Sequence, residues 1–217
     1  MCMKPIKPKI PNNLSRLANI VELLSGDSAV ELVSVTKQSF ADLNSKALSI
    51  KDSKFEQVRV LTSDLKNVSL LDVLFDKSDF SAVKLAGLSA HRTVFSHSRL
   101  SGIQMYESGF KDVTFSDCKL DLSNFRFSKL ERVEFVDCVL SEADFSNCEF
   151  SMVAFTRCNL ERADFSLAKV KSLDLRSSSI EGIHGLASLK GTSISSAQLI
   201  TIAPSLAAEI GLIVQSD

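Results

Sequence analysis

The sequence has few of the residue types from which catalytic and metal sites are usually built. Its 217 residues include three histidines, His91, His97 and His184, and no two cysteines have the Cys-x-x-Cys spacing of a zinc site. A nucleophile elbow, a phosphate-binding glycine loop and a two-histidine helix motif are also missing. The sequence therefore predicts a non-enzymatic protein without a metal or cofactor site.

The chain also lacks an excess of charge and a long apolar run. Its 25 basic residues balance 26 acidic ones, so it is neither a polycation nor a polyanion. Aromatic residues do not alternate with the basic ones, which argues against direct binding to nucleic acid. No run approaches the length that spans a bilayer, and residues 1–11 lack the apolar core of a signal peptide. We therefore expect a cytoplasmic protein without membrane contact.

What the chain does have is a period of five residues. From Phe55 to Ile180 every fifth residue except Ala90 is large and apolar. We call these large residues the inward centres. The residue two positions before each centre is almost always small or β-branched. Nearly all charged residues occupy the other three positions of the unit. Neither the spacing of a helix nor the alternation of a strand fits this pattern. The fixed period predicts a solenoid in which each unit buries its apolar face against its neighbours.

Positions twenty residues apart indicate how many units form one turn. Four five-residue units are expected to close one square coil, and at ~4.8 Å per coil the regular part would be a rod roughly 30 Å long. Four cysteines, Cys118, Cys138, Cys148 and Cys158, fall on the small inward position, three of them twenty residues apart, so we expect all four to be reduced core residues. The strongest evidence for the spacing is a column of six phenylalanines, Phe55, Phe75, Phe95, Phe115, Phe135 and Phe155.

Several units follow a pattern of Ala, then Asp or Asn, then Leu or Phe, followed by two variable residues. Ala143-Asp144-Phe145, Ala163-Asp164-Phe165 and Ser123-Asn124-Phe125 are close matches, and this frame covers well over half of the chain. In these motifs the sequence resembles the pentapeptide repeat family. More narrowly, residues 121–127 and 182–214 resemble a bacterial branch of the family without an assigned biochemical role. The resemblance implies an all-β solenoid, a right-handed quadrilateral parallel β-helix with an apolar axis.

Short helical caps are predicted at both ends of this β-helix. Beyond the proline-spaced arm of residues 1–11, Asn13 is expected to cap a helix that ends near Gly26. The apolar face of this helix would consist of Leu14, Leu17, Ala18, Val21 and Leu24. The chain would then divide into an N-terminal arm and cap (1–29), the β-helix (30–181) and a C-terminal link and cap (182–217).

The C-terminal segment is predicted to cap the last coil and to join two copies of the chain. Ser195 or Ser196 would begin a helix that is broken or kinked at Pro204 and closed by Gly211. Surplus apolar residues at the end of a rod fit a symmetric interface. The resemblance points the same way, because gyrase-protecting members of the family pair through their C-terminal ends. The predicted interface residues are Leu199, Leu206, Ile210, Leu212 and Val214.

The predicted function is the binding or scaffolding of a protein partner that the sequence does not identify. The leading surface is an acidic collar, most of which lies in a gap without basic residues between Arg132 and Arg157. An alternative follows from the resemblance, since some pentapeptide repeat proteins imitate duplex DNA and bind DNA gyrase or another type II topoisomerase. The basic residues on either side of the gap argue against this alternative. The acidic collar comprises Glu134, Asp137, Glu142, Asp144, Glu149 and Asp164.

Four outward residues remain. His91 and His97 are expected to be solvated polar groups on neighbouring sides of a coil rather than metal ligands. Phe127 and Tyr106, the only tyrosine, also occupy outward positions. Each of these two aromatic residues either packs against side chains of an adjacent coil or anchors a partner, and the sequence leaves both interpretations open.

Overall fold

The strands of successive coils pair in parallel, and in the regular coils each partner lies twenty residues further along the chain. Phe95 is opposite Phe115, and Phe115 is opposite Phe135. The computed structural model describes residues 4–16, 24, 28–209 and 211–213. These residues contain a parallel β-solenoid of about eight turns, which confirms the predicted fold class.

The longest strands lie on one continuous sheet of the solenoid. Six of the described strands have eight residues, and each contains two inward centres with a corner between them. In β12 the centres are Leu130 and Phe135, and the corner is Arg132. Shorter strands and isolated parallel bridges join the remaining sides at the same spacing of twenty. The described strands are β1 Ser15–Arg16, β2 Ala29–Glu31, β3 Val33–Thr36, β4 Ser39–Ala41, β5 Asn44–Ser45, β6 Ser49–Glu56, β7 Arg59–Leu61, β8 Asp64–Leu65, β9 Ser69–Asp76, β10 Ser89–Ser96, β11 Gly109–Ser116, β12 Lys129–Val136, β13 Glu149–Thr156, β14 Lys169–Val170 and β15 Leu173–Asp174.

The predicted apolar centres form the core of the solenoid. Every fifth residue from Phe55 to Ile180 is buried, apart from Val170, which is partly buried. The six phenylalanines of the twenty-residue column stack with ring centroids 4.6–5.1 Å apart. The ring of Phe135 also meets the rings of Phe125 and Phe145 edge-on. Stacked and edge-to-face contacts are both favourable arrangements of aromatic rings, so the column rigidly aligns one coil on the next.

The small inward residues complete the core. Ser78 Oγ accepts a hydrogen bond from the backbone N–H of Val58, twenty residues earlier, at 3.3 Å and donates to the carbonyl of Asp76 at 2.9 Å. A buried hydroxyl without such partners would be unfavourable, so serine fits because the coil spacing brings both groups within reach. The cysteines at this position are buried free thiols, as predicted: Cys118, Cys138, Cys148 and Cys158. Burial raises the pKa of Cys148 to about 12.

The corners of the coils adopt a left-handed backbone conformation. Two residues after an inward centre, φ is positive, as at Leu122 (57°), Phe127 (58°) and Arg132 (51°). Most of these corner residues are not glycine, although Gly87, Gly102 and Gly182 occupy three of the positions. This conformation costs an L-residue roughly 1–2 kcal/mol. Corner residues twenty apart form columns with a spacing of ~4.8 Å along the axis.

The start of the solenoid differs from the predicted N-terminal helix. Strand β1, Ser15–Arg16, pairs with β3, and the N–H of Ser15 donates to the carbonyl of Leu32 at 2.8 Å. The predicted helix is therefore wrong at these two residues. Pairing with β1 covers the edge of β3, which a helix starting at Asn13 would leave open. Leu24 is buried, whereas 17–23 and 25–26 of the predicted helix lie outside the described residues.

A 3₁₀ helix, Leu186–Leu189, and helix α1, Ser196–Glu209, follow the last coil. Ser195 and Gln198 begin α1 with a reciprocal capping box: Ser195 Oγ accepts the N–H of Gln198, and Gln198 Oε1 accepts the N–H of Ser195. The helix is continuous through Pro204, so of the two predicted outcomes, a break or a kink, the break does not occur. Packing of Ile202 and Leu206 against the last coil holds the helix on both sides of the proline.

Helix α1 ends as the sequence predicts, at Gly211. The φ of Gly211 is 80°, in the left-handed region that glycine adopts without strain. The N–H groups of Gly211 and Leu212 donate to the carbonyls of Ala208 and Ala207 at 3.1 and 2.8 Å. These two bonds form a Schellman motif, which satisfies the last carbonyls of the helix.

Candidate functional site

Four of the six carboxylates of the acidic collar lie beside basic residues from neighbouring coils. Asp164 instead accepts the N–H of Ser166 at 2.8 Å. Within the described part of the chain, neither Glu134 nor Asp164 has a basic residue within ion-pair distance. The pairs and their shortest distances are Asp137 with Arg157 at 2.6 Å, Glu142 with Arg162 at 2.7 Å, Asp144 with Arg126 at 3.6 Å, and Glu149 with both Lys129 and Lys169 at 3.5 Å.

The gap in basic residues along the sequence is thus closed in space. Asp137 and Arg157 are twenty residues apart, as are Glu142 and Arg162, so each pair stacks across one coil. The Arg157 guanidinium lowers the pKa of Asp137 below its ordinary value. The collar surface is therefore mixed in charge rather than uniformly negative. Its role in binding a partner stays a prediction.

Two ion pairs of the same design are buried at a different corner of the coil. The side chain of Asp112 is only 1% exposed, and Arg132 donates to it from Nε at 2.7 Å and from Nη2 at 2.8 Å. Forty residues earlier, the carboxylate of Asp72 accepts hydrogen bonds from Nε and Nη2 of Arg92, and the Nε–Oδ1 distance is 2.7 Å. All four residues belong to one column of left-handed corners. We call Asp72, Arg92, Asp112 and Arg132 the Asp/Arg column.

The environment of the Asp/Arg column keeps both carboxylates ionised. The Arg132 guanidinium lowers the pKa of Asp112 below its ordinary value, against the opposing effect of burial. At Asp72 burial favours a raised pKa, but hydrogen bonds from Arg92 and from the Lys9 amide outweigh it, and the pKa is lowered. Each carboxylate is therefore a charged and firmly oriented hydrogen-bond acceptor at neutral pH.

The N-terminal arm supplies further donors to the Asp/Arg column. The backbone N–H of Ile6 donates to Asp112 Oδ1 at 3.1 Å, and that of Lys9 donates to Asp72 Oδ1 at 2.8 Å. Sequence reasoning missed these four residues as a site because the partners lie 106 and 63 residues apart. Two signals were present nevertheless: prolines at every third position of the arm, and acidic and basic residues alternating at a spacing of twenty.

Large apolar side chains are exposed at four other corners: Leu32, at 38%, lies in the early coils, and the other three lie further along the solenoid. Leu122, Phe127 and Leu167 are 58%, 52% and 71% exposed, with φ values of 57°, 58° and 59°. The guanidinium of Arg126 lies over the Phe127 ring, 5.3 Å from its centroid. Phe127 is therefore outward, as predicted, and about half of the residue is open to solvent. Tyr106 is half-buried.

Polar side chains of helix α1 fasten the cap to the last coil. Gln198 Nε2 donates to the carbonyls of Leu175 and Ser178 at 2.6 Å each. The carboxylate of Glu209 accepts the N–H groups of Leu186 and Ala187 at the start of the 3₁₀ helix. Buried backbone groups at the end of the solenoid are satisfied in this way. The cap is thus anchored by specific hydrogen bonds as well as by apolar contact.

The predicted dimer residues fall into three groups. Leu206 packs against the core and is directed inward. Leu199 and Leu212 are exposed, and two further residues that were not predicted, Ile200 and Ile213, are exposed beside them in the sequence. Ile210 and Val214 lie outside the described residues. The cap therefore presents apolar side chains beyond those that cover the last coil.

The two histidines of the repeats face different carboxylates. Nδ1 of His97 lies 2.8 Å from Asp76 Oδ1, whereas Nε2 of His91 lies 3.6 Å from Asp112 Oδ2. Burial would raise the pKa of Asp76, but His97 and Ser96 lower it by hydrogen bonding, with a net lowering. In the described ranges, no three His, Cys, Asp or Glu residues are arranged to hold a metal ion. No described helix is long and apolar enough to cross a membrane.

Comparisons with known proteins agree with the geometry of the repeats. Residues 108–184 match the sequence profile of a pentapeptide repeat region. No curated protein matches the chain. The profile match covers the coils that contain the acidic collar and the exposed corners Leu122 and Phe127.

Solved structures with similarity to the chain include three pentapeptide repeat or resistance proteins. HetL, involved in heterocyst differentiation regulation in the cyanobacterium Nostoc sp. strain PCC 7120, is 15% identical, with 79% of this chain and 91% of HetL covered and a TM-score of 0.42. QnrB1, a plasmid-mediated fluoroquinolone resistance protein, is 16% identical, with coverages of 88% and 93% and a TM-score of 0.33. A protein from the Arabidopsis thaliana thylakoid lumen is 18% identical over 41% of this chain and 61% of its own length, with a TM-score of 0.39.

None of these similarities assigns a function. The family itself rests on the profile match, on the parallel register of twenty residues and on the recurrence of an inward centre and a left-handed corner in each unit of five. By these criteria residues 108–184 of the chain form a region of the pentapeptide repeat family.

Proposed function

We propose that this protein is a non-catalytic binding module that engages another protein through the apolar corners Leu122, Phe127 and Leu167. The observation that carries the proposal is the coincidence of two unfavourable features at each position. A large apolar side chain is exposed to water, and it is attached to a backbone in the left-handed region.

The fold imposes the left-handed backbone at these corners, but a corner that served only the fold would be expected to carry a polar residue suited to that conformation. Asn adopts the left-handed region more readily than Leu or Phe. In the Phe127 column, Asn147 occupies the next coil and Asn67 lies three coils earlier. A polar residue there would also remove exposed apolar surface. Strained and exposed positions of this kind are typical of functional sites, where another requirement outweighs stability.

The arrangement of these corners suits a protein interface. Leu122 and Phe127 are successive corners of one coil, and Leu167 lies two coils beyond Phe127 in the same column, ~10 Å along the axis. Arg126 stacks on Phe127 and also pairs with Asp144 at 3.6 Å. Aromatic residues and arginines supply much of the binding energy in protein interfaces. We therefore expect Phe127 with Arg126 to be the centre of the contact.

Replacing all three corners by asparagine tests this surface. We expect the variant Leu122→Asn, Phe127→Asn, Leu167→Asn to retain its fold and to capture at least tenfold less of its partner, because interface anchors commonly contribute 2 kcal/mol or more, about thirtyfold in affinity. The measurement is quantitative capture from a lysate of the source cells, with wild type and variant immobilised at equal density.

The control is Lys37→Asn, an exposed left-handed corner without an apolar side chain. This variant should capture as much partner as the wild type. Equal recovery of every bound protein by the triple variant would rule out the apolar corners as the binding surface.

DNA mimicry toward gyrase or another type II topoisomerase is the less supported alternative. Four of the six collar carboxylates pair with arginine or lysine, which reduces the negative field that mimicry requires. A supercoiling assay with and without a quinolone separates the two functions. A binding module that acts through the apolar corners leaves supercoiling unchanged, whereas inhibition or protection that is lost on Asp144→Lys would favour mimicry.

We further propose that two copies associate through the C-terminal cap. Support comes from the exposed apolar residues Leu199, Ile200, Leu212 and Ile213, which are 49–87% exposed. Leu212→Glu would place a charge in such an interface and should convert a dimer to a monomer in sedimentation equilibrium. A wild-type protein that sediments as a monomer at all concentrations tested would contradict the proposal.

A further inference from the structure

The N-terminal arm lies on the Asp/Arg column as a ligand lies on a binding site. Its only described side-chain acceptors are the two aspartates of the column, which take the N–H groups of Ile6 and Lys9. The side chain of Ile6 itself is 52% exposed. The arm is thus held by two backbone N–H groups three residues apart rather than by a buried apolar side chain at Ile6.

The spacing of these donors matches the spacing of the acceptors. Pro5, Pro8 and Pro11 restrict the arm to extended conformations, and a polyproline II segment rises ~3.1 Å per residue with three residues per turn. Donors three residues apart are therefore ~9.3 Å apart on one side of the segment. Asp72 and Asp112 are forty residues apart, which is two coils, or ~9.6 Å. One three-residue unit of the arm thus corresponds to two coils.

Each donor follows a proline, and each acceptor has the same surroundings. In both cases Oδ1 of the aspartate receives the arm amide together with Nε of an arginine one coil further on, and Oδ2 receives Nη2 of that arginine. The arginines are themselves mostly buried, with 22% and 15% of their side chains exposed. The carboxylates are thus positioned by the solenoid, not by the arm.

We propose that the Asp/Arg column is a binding site for an extended, proline-spaced peptide, and that residues 4–11 occupy it in cis. A partner segment with a proline at every third position, and a free N–H immediately after it, competes with the arm for Asp72 and Asp112. This site is separate from the apolar corners, because the column lies at a different corner of the coil. The arm therefore controls access to a second interaction surface.

The experiment uses the full chain with a fluorophore on Cys2, which is selective because Cys118, Cys138, Cys148 and Cys158 are buried. The probe is a synthetic peptide with the sequence of residues 4–13. A tethered arm is present at an effective concentration near the millimolar range, so the peptide is added up to several times that level. We expect the fluorescence anisotropy of the arm to fall in a saturable way as the peptide displaces it.

A matched peptide isolates the backbone contacts. It has the same sequence, but the amide nitrogens that correspond to Ile6 and Lys9 are methylated, which removes both donors without changing any side chain. We expect this peptide to leave the anisotropy unchanged. Equal displacement by both peptides, or displacement by neither, would overturn the proposal.

A variant of the arm tests the spacing without altering the solenoid. Insertion of one glycine after Lys7 leaves both donors present but four residues apart. We expect the arm to be released, and the added peptide to bind about tenfold more tightly because one hydrogen bond of its competitor is lost. An insertion variant with the anisotropy and peptide affinity of the wild type would show that binding to the column does not depend on a three-residue spacing of the donors.

Discussion

Replacing Arg132 by methionine is expected to lower the free energy of unfolding by about 3–5 kcal/mol. Arg132 makes two hydrogen bonds to the carboxylate of Asp112, which is 1% exposed. Without the arginine, the buried carboxylate would keep the Ile6 amide and the more distant His91 but lose its two guanidinium hydrogen bonds. Methionine is a suitable replacement because Met152 occupies the next corner of the same column with a φ of 58°. Urea denaturation measures the change.

The solenoid contains a matched control for this substitution. Arg157 pairs with Asp137 across one coil in the same way, but these side chains are 60% and 39% exposed. Because water screens exposed pairs, Arg157→Met should change the stability little. Addition of Asp112→Asn to Arg132→Met should recover part of the loss, since a neutral amide is less costly to bury and asparagine tolerates the left-handed backbone. Equal losses for Arg132→Met and Arg157→Met would refute the argument from burial.

The ion pair of Asp112 and Arg132 also makes the stability of the fold depend on pH. The pKa of Asp112 is lowered in the folded protein, so its stabilisation is complete above the ordinary carboxyl value near pH 4 and is lost as the pH falls through the lowered value. The groups that face this carboxylate are Arg132, His91 and the Ile6 amide. Stability should therefore fall below about pH 4, and it should fall less steeply in Asp112→Asn than in the wild type.

Phe135→Ala is the second substitution with a large expected effect, a loss of about 3–5 kcal/mol. The Phe135 ring is fully buried and lies 4.8 Å from the Phe115 ring and 4.6 Å from the Phe155 ring, nearly parallel to both. In a solenoid each coil is stabilised mainly by its two neighbours. A cavity at this position weakens both contacts at once, so we also expect faster hydrogen exchange in the coils that flank it.

Phe127→Ala is the control for this prediction. It removes the same side chain eight residues earlier, where the ring is 52% exposed. Surface substitutions of this kind usually change stability by less than about 0.5 kcal/mol. A comparable loss in both variants would mean that the phenylalanine column does not hold the coils together.

The repeat itself could be predicted from the sequence, because similar residues recur at two regular spacings, five residues and twenty residues. Phenylalanine at every twentieth position from Phe55 to Phe155 specified the register, and the structure has that register. The capping signals at Ser195 and Gly211 also predicted the ends of α1 correctly. These features depend on neighbours in the sequence or on a strict repeat, so a linear pattern is sufficient to find them.

The charged surface could not be predicted in the same way. Acidic residues between Arg132 and Arg157 form a gap along the sequence, yet Arg157 and Arg162 stack on Asp137 and Glu142 one coil earlier. The arm was harder still, because nothing local connects Ile6 with Asp112. Its position depends on the rise of the coils, which only the folded solenoid provides.

The strained corners were also invisible to sequence reasoning. Left-handed positions are usually recognised by glycine, but here Leu122, Phe127 and Arg132 adopt this conformation. The inward centres, buried and stacked, impose the corner whatever residue occupies it. The corner side chains can therefore vary without loss of the fold, which is a condition of the binding role proposed for them.

The most direct test of the central claim is the free energy of unfolding of the triple corner variant, Leu122→Asn, Phe127→Asn, Leu167→Asn, measured by urea denaturation beside the wild type. If the three side chains serve a partner at the expense of the fold, the variant will be more stable, by on the order of 1–3 kcal/mol in total. A variant that is less stable than the wild type would show that these side chains serve the fold, and would contradict the proposed binding surface.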